Sequence, residues 1–291
     1  MTGDSPLDAG LEETALALRE GRPSAADLAE AAIARAAERT GMNAYVHRDE
    51  ARTRALARAA DAAFAAGVDH GPLQGIPVSV KDLFGVNGWP TLAGSPRPLP
   101  VPFARSGSFI RRLLAGHAVL TGKTHTVEFA FGGIGTNPHH PVPRNPWDAH
   151  AHRVPGGSSA GAGVSLHVDA QLAIGSDTAG SVRIPAAMTG NVGIKTTHGR
   201  WPVDGVVPLS PSFDTVGLLA RSAADAAIAF HALDGTPAVP VPRLPGLVLG
   251  RCDDELWQDC SPGVAEAVEA AIDALADAGA AVRATALPQV A

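Results

Sequence analysis

The sequence predicts an α/β protein: a mixed β-sheet core flanked by helices. Three observations lead there. Short apolar runs recur at 76–80, 118–121, 171–175 and 191–195, the first bounded by Gly75 and Asp82, which is the signature of buried strands. Helix-like segments at 107–116, 159–168 and 182–188 separate them. Hydrophobic residues make up 45% of the 291 residues and charged ones 18%, enough apolar matter for a sizeable core. Strands that alternate with helices build a sheet with helices packed on its faces.

Taken in order, residues 1–67 read as a helical lead-in. Leu11, Leu16 and Leu18 mark one amphipathic stretch, Pro23-Ser24 opens a second with Asp27 three residues past the Ser24 cap, and the Ala-rich 49–67 forms a third. Residues 68–291 carry the α/β core, and lead-in and core together make effectively one domain. Residues 132–157 read as loop, punctuated by Pro138, Pro141, Pro143, Pro146 and Pro155. A strand at Leu247–Leu249, a helix at 263–279 and a strand at 280–286 close the chain. The Pro-rich 237–245 suits a hinge, a subdomain boundary or a surface loop equally. There is no internal repeat.

Composition removes several function classes. A net charge of −6 argues against nucleic acid or an anionic membrane as the main partner. No apolar run approaches the roughly 20 residues of a membrane-spanning helix. Asp4, Glu12 and Glu13 near the N-terminus are unlike a basic-then-apolar signal, so a cytoplasmic location is expected. Two cysteines, Cys252 and Cys260, exclude a disulfide scaffold and a four-thiolate zinc site. Of 23 basic residues only Lys81, Lys123 and Lys195 are lysines; a lysine, unlike an arginine, can become a neutral base when buried.

Three segments could carry chemistry. Gly75-Ile76-Pro77-Val78-Ser79-Val80-Lys81-Asp82 puts a lysine at the end of an apolar strand, where desolvation favours the free amine; a lysine salt-bridged to a carboxylate is the plain alternative. Pro155-Gly156-Gly157-Ser158-Ser159-Ala160-Gly161 sets two hydroxyls in a glycine turn before a helix, which by itself suits a serine cap equally well. Gly175-Ser176-Asp177-Thr178-Ala179-Gly180-Ser181-Val182-Arg183 runs from strand through a small-residue turn into a helix. Its backbone N–H groups can hold an oxyanion while Ser181 attacks a carbonyl, and a simple anion-binding loop fits almost as well.

These blocks, with Ser212-Phe213-Asp214-Thr215-Val216-Gly217, resemble the amidase signature family of amide hydrolases over about 43–233. The resemblance implies the fold of that family and a Ser–cis-Ser–Lys triad. In it Ser181 is the nucleophile that forms an acyl-enzyme, Ser158 on a cis peptide bond relays the proton, and Lys81 is the base. It also implies an oxyanion hole from the N–H groups of Thr178, Ala179, Gly180 and Ser181, with Ser159, Asp177 and Arg183 in support. It implies no metal and no organic cofactor. It implies a small-molecule amide as substrate, with no direct nucleic-acid contact and no membrane; a homo-oligomer or partner subunits complete the expectation. Within the family the alternative is the glutaminase subunit of a tRNA-dependent amidotransferase. The other alternative is a catalytically impaired relative serving as a binding subunit, which acylation at Ser181 would exclude.

The chain departs from the family pattern at Ala179, where glycine is usual, and at Gly161-Ala162 and Thr196-Thr197. Family members also run on past the point matching Ala291, so the chain is expected to be C-terminally incomplete. Three competing motifs are weaker. Gly157-Ser158-Ser159-Ala160-Gly161 fits the G-x-S-x-G elbow of other hydrolases but lacks a strand before it. Gly116 to Thr124 falls short of a P-loop because five residues separate its glycines where four are needed. His139, His140, His150 and His152 sit in Pro-rich loop with no carboxylate pair or thiol nearby, more like solvated loop residues than a metal site.

Overall fold

Side-chain caps open α-helices at Ser24, Asp49 and Ser222. Helix α1 (Leu11–Arg19) buries Leu11, Ala15 and Leu18 along one stripe. Helix α2 (Ala25–Glu38) opens with a reciprocal box: the Ser24 hydroxyl accepts from the Asp27 N–H and the Asp27 carboxylate accepts from the Ser24 N–H, both at 3.1 Å. The lead-in contains one element that a helical reading of 1–67 lacks, the strand β1 (Tyr45–His47). Three half-buried residues show no usable alternation, and pairing with a distant strand is what defines β1. Helix α3 (Glu50–Ala65) follows, capped by the Asp49 carboxylate on the Arg52 N–H.

The central sheet contains β1, β2 (Pro77–Lys81), β3 (Val119–Thr124), β4 (Leu172–Asp177), β5 (Val192–Lys195) and β6 (Thr215–Ala220), in the order β1-β3-β2-β4-β6-β5. β3, β2 and β4 run parallel; β1 pairs antiparallel on one side, and β6 and β5 antiparallel on the other. Helices α4 (Ser108–Ala115), α5 (Ala160–Ser165), α6 (Arg183–Met188) and α7 (Ala223–Asp234) complete this part. β2, β3, β4 and β6 are buried along their whole length, so even their polar residues, Ser79, Lys81, Lys123 and Ser176 among them, lie inside. Val78, Val80, Leu120, Ile174, Val216 and Leu218 form the centre of the core.

β6 and α7 go unread in the sequence because 215–234 is almost uniformly small and apolar. Only Arg221-Ser222 marks the boundary, where the Ser222 hydroxyl caps α7 by accepting from the Asp225 N–H at 3.1 Å.

The structure, a computed structural model, describes residues 5–239, 243–252 and 259–286. They divide into two compact units at 238/239, inside the Pro-rich stretch. The second unit holds β7 (Val248–Cys252), α8 (Pro262–Asp277) and β8 (Ala281–Thr285); its two strands pair in parallel. Among the described residues no helix is long and apolar enough to cross a membrane.

One consequence of the topology matters most. Adjacent parallel strands end on the same edge of a sheet, where loops of α/β proteins collect their functional groups. Lys81 closes β2 and Asp177 closes β4, with Val80 opposite Ile174.

Candidate active site

Lys81 is fully buried. Its Nζ lies 2.7 Å from Ser158 Oγ, 3.0 Å from Ser176 Oγ and 3.4 Å from the Ser176 carbonyl oxygen. These partners are neutral, and among the described residues no carboxylate lies within ion-pair distance of this amine, so the salt-bridged alternative is discarded. Burial lowers the Lys81 pKa from 10.5 to about 7, against the opposing pull of the Asp177 and Asp214 carboxylates. Lys123 shows the contrast: equally buried, its Nζ sits 2.7 Å from Asp82 Oδ1 and 3.1 Å from Thr91 Oγ1. An inward ion pair on β3 is incompatible with a phosphate-binding loop at this segment.

Ser158 follows a cis peptide bond from Gly157 and is buried. Its carbonyl accepts from the Val127 N–H at 3.1 Å. The turn before it packs backbone against backbone. A Cβ on Gly157 would stand 2.8 Å from Gly135 N, and one on Gly135 2.4 Å from the Gly156 oxygen, so the sequence has glycine at both. Ser159 stands at the N-terminus of α5 but caps nothing with its side chain. Its N–H donates to the Ser181 carbonyl at 3.2 Å and its hydroxyl to the Ser176 carbonyl at 3.3 Å. A buried hydroxyl so engaged, with no strand before it, is no exposed nucleophile elbow.

Ser181 ends the turn after β4 and is 9% exposed. The structure brings Lys81 and Ser158 into contact. It does not hydrogen-bond the Ser158 hydroxyl to that of Ser181; the two segments are tied through the Ser159–Ser181 backbone bond instead.

Asp177 organises this turn from within. Its Oδ1 accepts from the Gly180 N–H at 2.8 Å and from Arg183 Nη2 at 3.0 Å; its Oδ2 accepts from the Val182 N–H at 3.1 Å and Arg183 Nε at 3.0 Å. Burial alone would raise the Asp177 pKa, but these donors hold it below the usual value. Of the four N–H groups expected to face an oxyanion, that of Gly180 donates to Asp177 in this structure. Gly180 itself has φ +121, a conformation for glycine. Ala179 is exposed and has no positive φ, so its Cβ fits where the family usually has glycine. The Thr178 hydroxyl donates to Asp214 Oδ1 at 2.5 Å, fastening the turn to the segment that leads into β6.

Ser176 and Asp214 escape a reading by residue type. Ser176 is one residue from Asp177 near the end of β4, and only the folded structure shows its hydroxyl at Lys81. The histidines do not gather: His139 Nε2 lies 3.3 Å from Glu128 Oε1, and His140 Nε2 bonds the Ser95 carbonyl at 2.9 Å. Among the described residues no group of three or more metal-ligating side chains forms.

Comparison with known proteins gives consistent matches. The family described as Amidase matches residues 27–291. The 2-amino-5-chloromuconic acid deaminase of Comamonas testosteroni is 56% identical over 246 residues, covering 83% of this chain and 53% of that protein. A glutamyl-tRNA(Gln) amidotransferase subunit from Ralstonia nicotianae is 42% identical over 216 residues, covering 74% of this chain and 43% of that one. A crystal structure described as an amidase superposes with a TM-score of 0.88 at 36% identity, covering 96% of this chain and 64% of the other. The chain thus spans about half the length of these curated relatives.

Proposed function

The chain belongs to the amidase family, and from that premise we propose that it hydrolyses a carboxylic amide to an acid and ammonia or an amine. Ser181 is the nucleophile. Neutral Lys81 takes the proton of Ser158 as Ser158 takes that of Ser181, and Ser181 Oγ attacks the amide carbon. The relay closes when the Ser181 hydroxyl turns onto Ser158; catalytic hydrogen bonds are often open before substrate binds. The N–H groups of Thr178, Ala179 and Ser181 receive the oxyanion, while Asp177 and Arg183 keep the turn in shape. When the C–N bond breaks, the proton held by Lys81 returns through Ser158 to the leaving nitrogen. Water then attacks the Ser181 ester by the same route and releases the acid.

One observation carries this reading: a buried amine whose hydrogen-bond partners are two serine hydroxyls and a carbonyl, with no carboxylate in ion-pair distance among the described residues. The Comamonas relative is named for removing an amino group from an acid, so a small acidic substrate that releases ammonia is the first choice. The Ralstonia relative favours a second reading, glutamine hydrolysis within an amidotransferase. The proposed setting is the cytoplasm, as a homo-oligomer or with partner subunits.

The test is ammonia release from a panel of small acidic amides and glutamine, with Ser181→Ala as control, together with mass spectrometry of protein treated with a fluorophosphonate. Release that Ser181→Ala abolishes, and one adduct on Ser181, are expected. An adduct on Ser159, or equal release by Ser181→Ala, overturns the assignment. No adduct and no release favours a binding subunit.

A further inference from the structure

We infer that Ser176 is a positioning residue whose hydroxyl and carbonyl together take the two N–H bonds of neutral Lys81, leaving the amine lone pair for the Ser158 hydroxyl. This rests on the reading of Lys81 as the base. A neutral amine has two N–H donors and one lone pair. Ser158 Oγ at 2.7 Å, Ser176 Oγ at 3.0 Å and the Ser176 carbonyl at 3.4 Å are its three partners, all buried with it. A carbonyl oxygen can only accept, so it fixes one N–H. Ser176 Oγ accepts the second, and the remaining direction is the one facing Ser158. Without the Ser176 hydroxyl the amine can turn its second N–H onto Ser158 Oγ, and the lone pair no longer meets the hydroxyl proton. Ser159 supports the arrangement from behind, because its hydroxyl donates to the same Ser176 carbonyl at 3.3 Å.

The same geometry sets the sign of a measurable effect. The ammonium form donates to all three oxygens, so removing one acceptor disfavours it and lowers the pKa of Lys81. The charged groups in its surroundings are Asp177, paired with Arg183, Asp214, bonded to Thr178, and the Asp82–Lys123 pair at the ends of β2 and β3. None of them touches Ser176 by a hydrogen bond or ion pair among the described residues, so their contribution carries over unchanged into a Ser176 variant. Damage that admits water would act oppositely, solvating the ammonium and raising the pKa toward its ordinary value.

Lys81 is one of three lysines, so lysine labelled with 13C at Cε gives a spectrum of three resonances, which reads the titration without turnover. Ser176→Ala is expected to lower the Lys81 midpoint by about one pH unit or more. It is also expected to slow fluorophosphonate labelling of Ser181 roughly tenfold at the alkaline plateau. Ser176→Thr, which restores the hydroxyl, should return both. If Ser176→Ala does not fold, Ser176→Cys, with a weaker acceptor, must show the same downward movement. An unchanged or raised midpoint in the folded variant overturns the inference. So does a plateau rate equal to wild type, or a Ser176→Thr variant that behaves as Ser176→Ala. Failure of the amidase reading is separate: wild-type protein would then carry no Ser181 adduct, while the titration still decides the role of Ser176.

Discussion

The free amine at Lys81 has a consequence for stability that needs no substrate. Unfolded, this side chain keeps its ordinary pKa of 10.5; folded, burial brings it to about 7. Between those values the unfolded chain binds more protons, so folding gains as pH rises through the window and the gain is lost as pH falls through 7. The full difference is about 5 kcal/mol, at about 1.4 kcal/mol per pKa unit. Lys81→Met fills a similar volume and cannot titrate. The gap in unfolding free energy between wild type and Lys81→Met should therefore move in favour of wild type by about 3 kcal/mol between pH 7 and pH 9.5. Urea unfolding at a series of pH values measures it, and comparison with Lys81→Met removes every other titration. A gap that stays flat with pH, or a Lys81 13Cε resonance titrating at about 10, would refute the buried-amine argument.

Two further perturbations probe the frame around this amine. Gly180→Ala forces a side chain into φ +121, with its Cβ 2.8 Å from Ile184 Cδ1; the flexible methyl can move but the backbone cannot, so a loss of about 1–3 kcal/mol in unfolding free energy and slower Ser181 labelling are expected. Asp82→Asn leaves the Lys123 ammonium buried without its counter-charge and should cost about 3–5 kcal/mol by urea unfolding, whereas Asp82→Leu combined with Lys123→Met should cost clearly less; equal losses would mean that packing, not charge, holds this corner.

Much of the fold is legible in the sequence because its signals are local. The Ser24–Asp27 box announces α2, and the run ending at Lys81 announces β2. Burial on both faces keeps the central strands rich in apolar residues, so most of them stand out as short runs. What escapes lacks a local signal. β1 is three residues long and exists through its pairing with β3, and the stretch from Thr215 to Asp234 is too evenly apolar to show a change of period. The candidate site divides in the same way. Lys81, Ser158 and Ser181 lie in glycine-punctuated blocks whose chemistry can be named from residue types, and the sequence also suggests a hydrogen-bonded succession that the structure completes only as far as Ser158.

The remainder of the site is a product of register. β2 and β4 are neighbours and parallel, and Val80 opposes Ile174. Ser176, next to last on β4, reaches the amine that ends β2 at 3.0 Å. Continued one step, the same pairing sets Gly175 beside Lys81 with Ser176 just past it, so a slip would change which of 175, 176 and 177 stands by the amine. Gly175 offers no hydroxyl, and its position is closed to any larger residue, since a Cβ there would lie 2.9 Å from Ser159 Oγ. Asp177 would offer a carboxylate, which would draw Lys81 into an ion pair and raise its pKa out of the range of a general base. The basicity proposed for Lys81 therefore depends on strand pairing as much as on residue choice. The buried side chains that lock this register, Val78, Val80, Leu172 and Ile174, act on the chemistry without touching it.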